Sequence, residues 1–362
     1  MIRVLFISLS LFLFVIATKA QQNPDAQLSS NSNNPPKWDT TYYKKYNERF
    51  IVSVFQSERR YNIIFDPRNP LDSGKASLNY IADANTVSGI EIDFDKISIS
   101  FATRSVPPSG VSIKGKTYYT NFGLSFGGNK WFVENTYRRY RGFYDNNIGK
   151  YDTSYKAGMP FYQNPSMVNE NIKSKFFYFT NHRKFAYKSS YTCVYRQIKT
   201  ASSWVLSGNI YHNHLYTDTS FAPKLIRHFY GSDAYLNNMK MFGLSGGGGF
   251  STNIVLWRAL FFNATGLMNI ESQWRTNSWL EGRRNKVQYI TSSFDLRFAL
   301  GINNKNFFST LSFINDINLY NSGQLDINSR FFSGNFSIGY RFKVKPPSWY
   351  KKIQASKIYN MF

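Results

Sequence analysis

Cysteine is almost missing from this chain: Cys193 is the only one. That excludes an internal disulfide framework and any cysteine-built metal cluster. Alternation with Tyr191 and Tyr195 reads Cys193 as a small lipid-facing or packing residue. Acidic residues are also scarce, 21 against 44 Lys and Arg, for a formal net charge of +23. Long apolar runs are missing too. Past residue 20 no stretch reaches the length of a membrane-spanning helix. There is no zinc-protease pair and no nucleophile elbow, and Gly246-Gly247-Gly248-Gly249 lacks the Lys-Ser/Thr and helix that would make it a phosphate loop. Those glycines read instead as room for bulky neighbours. No cofactor or metal follows from these residues, and no enzyme is expected.

What is present is aromatic and patterned. Aromatics make up 18% of the chain, with 33 Phe and 26 Tyr, while hydrophobic residues reach only 42%. The N-terminus is the one apolar run: Arg3, then Val4–Ala17, ending in Thr18-Lys19-Ala20. This is the layout of a secretory signal peptide over residues 1–20, and with no cysteine after it a lipid anchor is not expected. Residues 21–47 begin rich in Asn, Ser, Gln and Pro and read as a disordered leader, before a barrel over 48–343 and a tail over 344–362. On an exported chain the excess of Lys and Arg points away from nucleic acid. It points toward anionic lipopolysaccharide, polysaccharide or an acidic partner.

The stretch Lys116–Tyr144 carries the pattern most clearly. Tyr118, Thr120, Phe122, Leu124 and Phe126 share one face, and Tyr119, Asn121, Gly123 and Ser125 the other; Gly127-Gly128-Asn129-Lys130 turns the chain. Similar period-two runs recur at 49–55, 86–94, 96–103, 184–198, 203–214, 240–253, 259–271, 287–302, 307–319 and 330–342. That makes about twelve strands. Residues 56–76, 142–183, 215–239, 272–286 and 320–328 read as loops, so short and long connections alternate. An up-and-down antiparallel transmembrane β-barrel has this rhythm, with short periplasmic turns, long outer loops, apolar side chains to lipid and small or polar ones to the lumen. Closure also removes unpaired strand edges. The last strand turns Phe336, Ile338, Tyr340 and Phe342 to one face, like the closing strand of an outer-membrane barrel. The expected location is the outer membrane, and the expected state a monomer.

Trp131-x-x-Glu134-x-x-Tyr137 with Tyr140-Arg141-Gly142-Phe143-Tyr144 resembles the core of the DUF4421 family, a domain of unknown function. So do Asn181-x-x-Lys184-Phe185-Ala186-Tyr187 with Gln197-Ile198-Lys199-Thr200-Ala201-Ser202-Ser203, and the terminal Gly339-Tyr340-Arg341-Phe342. The resemblance covers roughly residues 45–343. It implies an outer-membrane barrel of Bacteroidetes-type bacteria and brings no catalytic residues.

Two groups of residues are candidates for chemistry. Glu91, Asp93, Glu134, Arg138, Asp295, Arg297 and Arg341 fall on the small or polar faces of their strands, where opposite charges can pair inside a narrow barrel or line a pore. His212 and His214 share a face near the outer end of the seventh strand, beside Leu206 and Ile210, as interfacial histidines. The expected function is a structural or binding barrel that presents basic, aromatic outer loops to surface glycans or a partner protein. A narrow passive channel is the alternative. An interfacial lipid hydrolase built on the histidines ranks below both.

Overall fold

Alternation of apolar and polar side chains favours extended backbone, because a strand can then send one kind to each side. The computed structural model describes residues 38–68, 76–104, 113–257, 259–320, 325–346, 348–356 and 359. The expectations for residues 1–37, the signal peptide and most of the leader, lie outside these residues. The unit Thr40–Phe362 carries every strand. They are β1 (Tyr43–Lys45), β2 (Arg49–Pro67), β3 (Leu78–Phe94), β4 (Ile97–Arg104), β5 (Tyr118–Gly127), β6 (Trp131–Asp145) and β7 (Tyr162–Phe179). Then follow β8 (Tyr195–Gln197), β9 (Ala201–Tyr216), β10 (Leu236–Leu256), β11 (Leu260–Trp279), β12 (Arg284–Asn303), β13 (Phe307–Tyr320) and β14 (Leu325–Lys343).

Twelve of these strands close into one antiparallel barrel in the order β10-β11-β12-β13-β14-β2-β3-β4-β5-β6-β7-β9, while β1 and β8 form a separate two-stranded ribbon. Closure runs through β14 and β2, paired from Leu325↔Pro67 to Lys343↔Arg49. β4 and β5 are short, and beyond their ends β3 and β6 pair directly at Tyr80↔Asp145 and Ile81↔Tyr144.

The two faces of the wall have opposite chemistry. Ile90, Phe101, Phe122, Trp204, Leu206 and Ile270 are exposed on the outside, with similar residues on the other strands. Asn121, Asn209, Asn213, Asn263, Asn269 and Arg297 are buried on the inside. A water-soluble barrel has the reverse arrangement. A belt of large apolar side chains around the whole wall far exceeds the apolar patch that soluble proteins expose, and it matches a strand wall solvated by hydrocarbon. A closed barrel also pairs every wall amide internally, as a bilayer requires.

The strand number agrees with the sequence reading, but two segments exchange places. Residues 142–183, read as the longest loop, contain the end of β6 and all of β7. Residues 184–198, read as a strand, lie outside the barrel wall and contain only a single 3-10 turn (Tyr187–Ser189) and β8. Their aromatic alternation is real, yet the rings pack inward rather than toward lipid. Cys193 accordingly is fully buried and not lipid-facing. The leader reading fails at its end, since Tyr43–Lys45 is β1 and pairs with Tyr195–Gln197. Several loops shrink as well. β2 continues to Pro67, and β11 and β12 take up most of 272–286. At Gly247, Gly248 and Gly249 a Cβ would strike the backbone of a neighbouring strand rather than a bulky side chain, and at Gly246 it would meet nothing. On the same strand a ring takes the missing side chain's place at Gly243, where a Cβ would strike Tyr211. After β14 a short helix, Ser348–Gln354, packs Tyr350 on Phe94.

Candidate functional site

The lumen collects the charged side chains of the chain's middle, and they meet across it rather than along one strand. Asp295 on β12 and Asp316 on β13 stand directly opposite each other in the sheet register. Two adjacent carboxylates repel unless a cation comes between them. Lys175 reaches over from β7 on the far wall, and its Nζ donates to Asp295 Oδ2 at 2.5 Å and to Asp316 Oδ1 at 2.9 Å. Arg297 acts as a second bridge. Its Nε and Nη2 donate to Asp295 at 3.0 Å, and its Nη1 donates to both Glu134 oxygens at 2.9 Å and to the Tyr187 hydroxyl at 2.7 Å. Arg138 and Lys173 approach Asp316 Oδ2 at 3.8 and 3.9 Å. The side chains of Arg297, Asp295, Lys175 and Asp316 are all below a tenth exposed. Charges so deeply withdrawn from water persist only when paired and hydrogen-bonded.

Four of the seven residues expected to line the lumen thus sit together: Glu134, Arg138, Asp295 and Arg297. Arg341 is placed elsewhere, near the end of β14. Its Nε and Nη2 donate to the Cys193 carbonyl at 3.0 and 2.6 Å, and Nη2 donates to Asn303 Oδ1 at 2.6 Å. Glu91 and Asp93 face the lumen from β3 and make no ion pair among the described residues; Asp93 is fully buried. Lys173, Lys175, Asp316 and Tyr187 were not anticipated. The two lysines alternate within Asn171-Ile172-Lys173-Ser174-Lys175, a signal hidden while that stretch was read as loop.

Below the cluster, residues 180–200 connect β7 to β9 by folding into the barrel as a plug. Tyr187 packs on Phe132, Phe177 and Phe179, with ring centroids 5.0–5.9 Å apart. Tyr191 donates to Asn263 Oδ1 at 2.7 Å, and Ser190 to Asn253 Oδ1 at 2.7 Å. Asn303 Nδ2 donates to the carbonyls of Ser189 at 2.8 Å and Tyr195 at 3.0 Å. Gln197 holds the segment's shape, donating to the Lys184 and Lys199 carbonyls and accepting from the Ala186 amide. The plug is therefore fastened to β11, β10 and β12 as well as to Arg341 and Arg297.

Above the cluster a polar cavity of about 40 Å³ is lined by residues that include Tyr61, Arg138, Asn169, Lys173, Tyr211 and Asp316. That is room for one or a few waters. Over it residues 217–235 fold across the mouth. Phe221, Ala222, Ile226 and Tyr230 join one apolar cluster with the inward Phe65, Tyr80, Leu215, Met239, Trp279 and Ile327. Tyr80 donates to the Phe221 carbonyl at 2.6 Å, and the Tyr230 hydroxyl lies 2.8 Å from the Ala76 carbonyl and 3.2 Å from that of Phe65. Burial pushes the Tyr230 hydroxyl well above its usual range, so it stays a neutral donor.

His212 is exposed on the outer wall, and His214 accompanies it there, 3.2 Å from Asn238 Oδ1 and packed on Tyr216. Among the described residues neither histidine is hydrogen-bonded to a serine, and the carboxylate of Glu170, the cross-strand neighbour of His214, is taken by Arg139 at 2.8 Å. No group of three His, Cys, Asp or Glu that could hold a metal occurs among the described residues.

Solved structures similar to this chain include outer-membrane proteins. The outer membrane protease OmpT from Escherichia coli is 8% identical, with 83% of this chain and 98% of that chain covered and a TM-score of 0.34. The translocator domain of autotransporter NalP from Neisseria meningitidis is 10% identical, with 92% and 95% covered and a TM-score of 0.30. The beta domain of the Bordetella autotransporter BrkA is 10% identical, with 81% and 100% covered and a TM-score of 0.31. Likeness this low assigns no activity. No curated protein matches the chain. The profile of one family, described as "Domain of unknown function (DUF4421)", matches residues 37–342, and with that span covered the chain belongs to the DUF4421 family.

Proposed function

We propose that this protein is an outer-membrane β-barrel that passes no solute and works through its outer, loop-bearing end, as a binding barrel for acidic surface polysaccharide. The closed lumen carries the reading. A channel needs a continuous wet path, and here a plug, a paired charge cluster and an apolar cap lie in series along the barrel. The belt of exposed apolar residues supports the membrane location, and the strand order supports a turn-bearing side facing the periplasm.

The ligand class follows from what crowds the loop end. Arg283 lies over Trp279 at 3.9 Å, Arg227 over Tyr235 at 4.9 Å, and Lys114 over Tyr144 at 5.6 Å. Trp279 and Tyr144 are buried beneath their cations, whereas Tyr235 is 41% exposed and can offer a sugar ring its apolar side, with Arg227 beside it suited to a carboxylate or sulfate on the same sugar. Binding should fall with salt, because exposed charges are screened. The test is titration of the micelle-held protein with a polyuronate and with neutral dextran. We expect binding of the polyuronate only, and a loss of about tenfold for Arg283→Ala combined with Arg227→Ala, on the order of 0.7 kcal/mol for each cation. Equal binding of both polymers, or of neither, would overturn the glycan reading.

A further inference from the structure

The outer wall just above the apolar belt carries a row of charges whose order is set by the sheet register. Arg139 pairs with Glu170, Glu170 with His214, His214 with Lys240, Lys240 with Thr276, and Thr276 with Lys286. All six therefore stand side by side across β6, β7, β9, β10, β11 and β12. The next row toward the loops adds Arg141 at one end and Arg284 at the other. The next row toward the belt is Tyr137, Ile172, His212, Phe242, Trp274 and Gln288. Below that the face turns apolar, with Ile210, Leu244 and Ile290 exposed.

Alternation places these cations on the outward face. Lys240, Lys286, Arg141 and Arg284 are exposed, and Arg139 is 42% exposed. Five cations share the patch with one carboxylate, Glu170, which Arg139 holds at 2.8 Å. A soluble partner would have to press against a wall flanked by hydrocarbon to reach them. A lipid headgroup lies at that height already, with its chains along Ile210, Leu244 and Ile290. Aromatic side chains one row down mark the same interface. Arg139 and Lys240 are three strands apart, about 14 Å at the usual strand spacing. The cations thus form two separate ends, suited to two phosphates on one headgroup rather than to a single compact anion.

We infer that the outer wall of β6–β12 is a binding site for a bisphosphorylated glycolipid headgroup, with Arg139 and Arg141 on one phosphate and Lys240 on the other. This rests on the bilayer-spanning reading proposed above.

The test uses the full protein in nanodiscs of phosphatidylcholine doped with bisphosphorylated lipid A, with fully dephosphorylated lipid A as control. Retained glycolipid is counted by native mass spectrometry. Wild type should retain the bisphosphorylated form selectively. Lys240→Ala should lower retention about fivefold, and Arg139→Ala/Arg141→Ala/Lys240→Ala on the order of a hundredfold. Lys130→Ala/Lys343→Ala, at the opposite end of the barrel, should leave it unchanged. Undiminished retention by the Lys240→Ala and triple variants, equal retention of the dephosphorylated lipid, or release by millimolar inorganic phosphate would each overturn the site. Heat-modifiable gel migration separates this failure from that of the bilayer reading. If even wild type shows no heat-modifiable band, the bilayer reading fails and this site with it. If the variants migrate like wild type yet keep their lipid, the site alone fails.

Discussion

Arg297→Ala is expected to lower the unfolding free energy of the barrel by about 3–5 kcal/mol, read from urea titration of tryptophan fluorescence in lipid vesicles. One guanidinium holds Glu134, Asp295 and Tyr187 at once, from three parts of the chain that are far apart in sequence. Removing it leaves Asp295 with Lys175 alone and Glu134 without its partner in the interior. It also frees the Tyr187 hydroxyl, so the plug loses its tie to the charge cluster while Asn303 still holds it to the end of β12. Most of the loss comes from the carboxylates left behind rather than from the bonds removed. Arg297→Ala/Glu134→Gln/Asp295→Asn should therefore be less destabilised than Arg297→Ala alone, even though it changes more residues. If the triple variant proved the weaker of the two, the cluster would not be held by charge compensation.

The second large effect concerns the outside of the wall. Met268→Arg should destabilise the protein by about 2–4 kcal/mol, while the same substitution at Trp274, nearer the charged row, should cost about 0–1 kcal/mol from its charge. Both side chains are exposed, Met268 at 53% and Trp274 at 42%. In water, exposure of that degree would make both changes nearly neutral. The dependence on depth arises only if hydrocarbon surrounds Met268. Unfolding in vesicles measures both, and equal small effects would remove the bilayer from the picture.

How much of this was legible in the sequence depended on where each residue stands relative to the belt. Inside the belt every strand must separate apolar from polar, and there the period is clean. Phe294, Leu296, Phe298 and Leu300 face outward while Asp295, Arg297 and Ala299 are buried, as their alternation requires. Beyond the belt the outward face meets water instead of hydrocarbon, and the period fades while the hydrogen-bonded ladder continues. β2 past Ser57 and β11 past Trp274 are of this kind. β7 fails for a related reason. Its inward Asn169, Asn171, Lys173 and Lys175 alternate with Glu170, Ile172 and Ser174, so only Ile172, Phe176 and Tyr178 signal a lipid face. The plug errs the other way. Phe185, Tyr187, Tyr191 and Tyr195 alternate like lipid-facing residues, but their rings fill the barrel interior. Periodicity shows that a face is apolar and leaves open which apolar medium covers it.

The charge cluster was half legible for the same reason. Glu134, Arg138, Asp295 and Arg297 could be assigned to a polar face from their own strands. Which of them meet depends on the circular strand order, and that brings β7 and β6 across from β12 and β13. Lys175 between two aspartates, and Tyr187 on Arg297, are consequences of closure that no local pattern carries.

The closed lumen is tested most directly by planar-bilayer conductance of the purified, refolded protein, with heat-modifiable migration confirming the folded barrel in the same preparation. Plug, paired charges and cap in series predict a membrane that stays electrically silent. Steady, reproducible ion steps from the heat-modifiable species would contradict the closed lumen and make the barrel a channel.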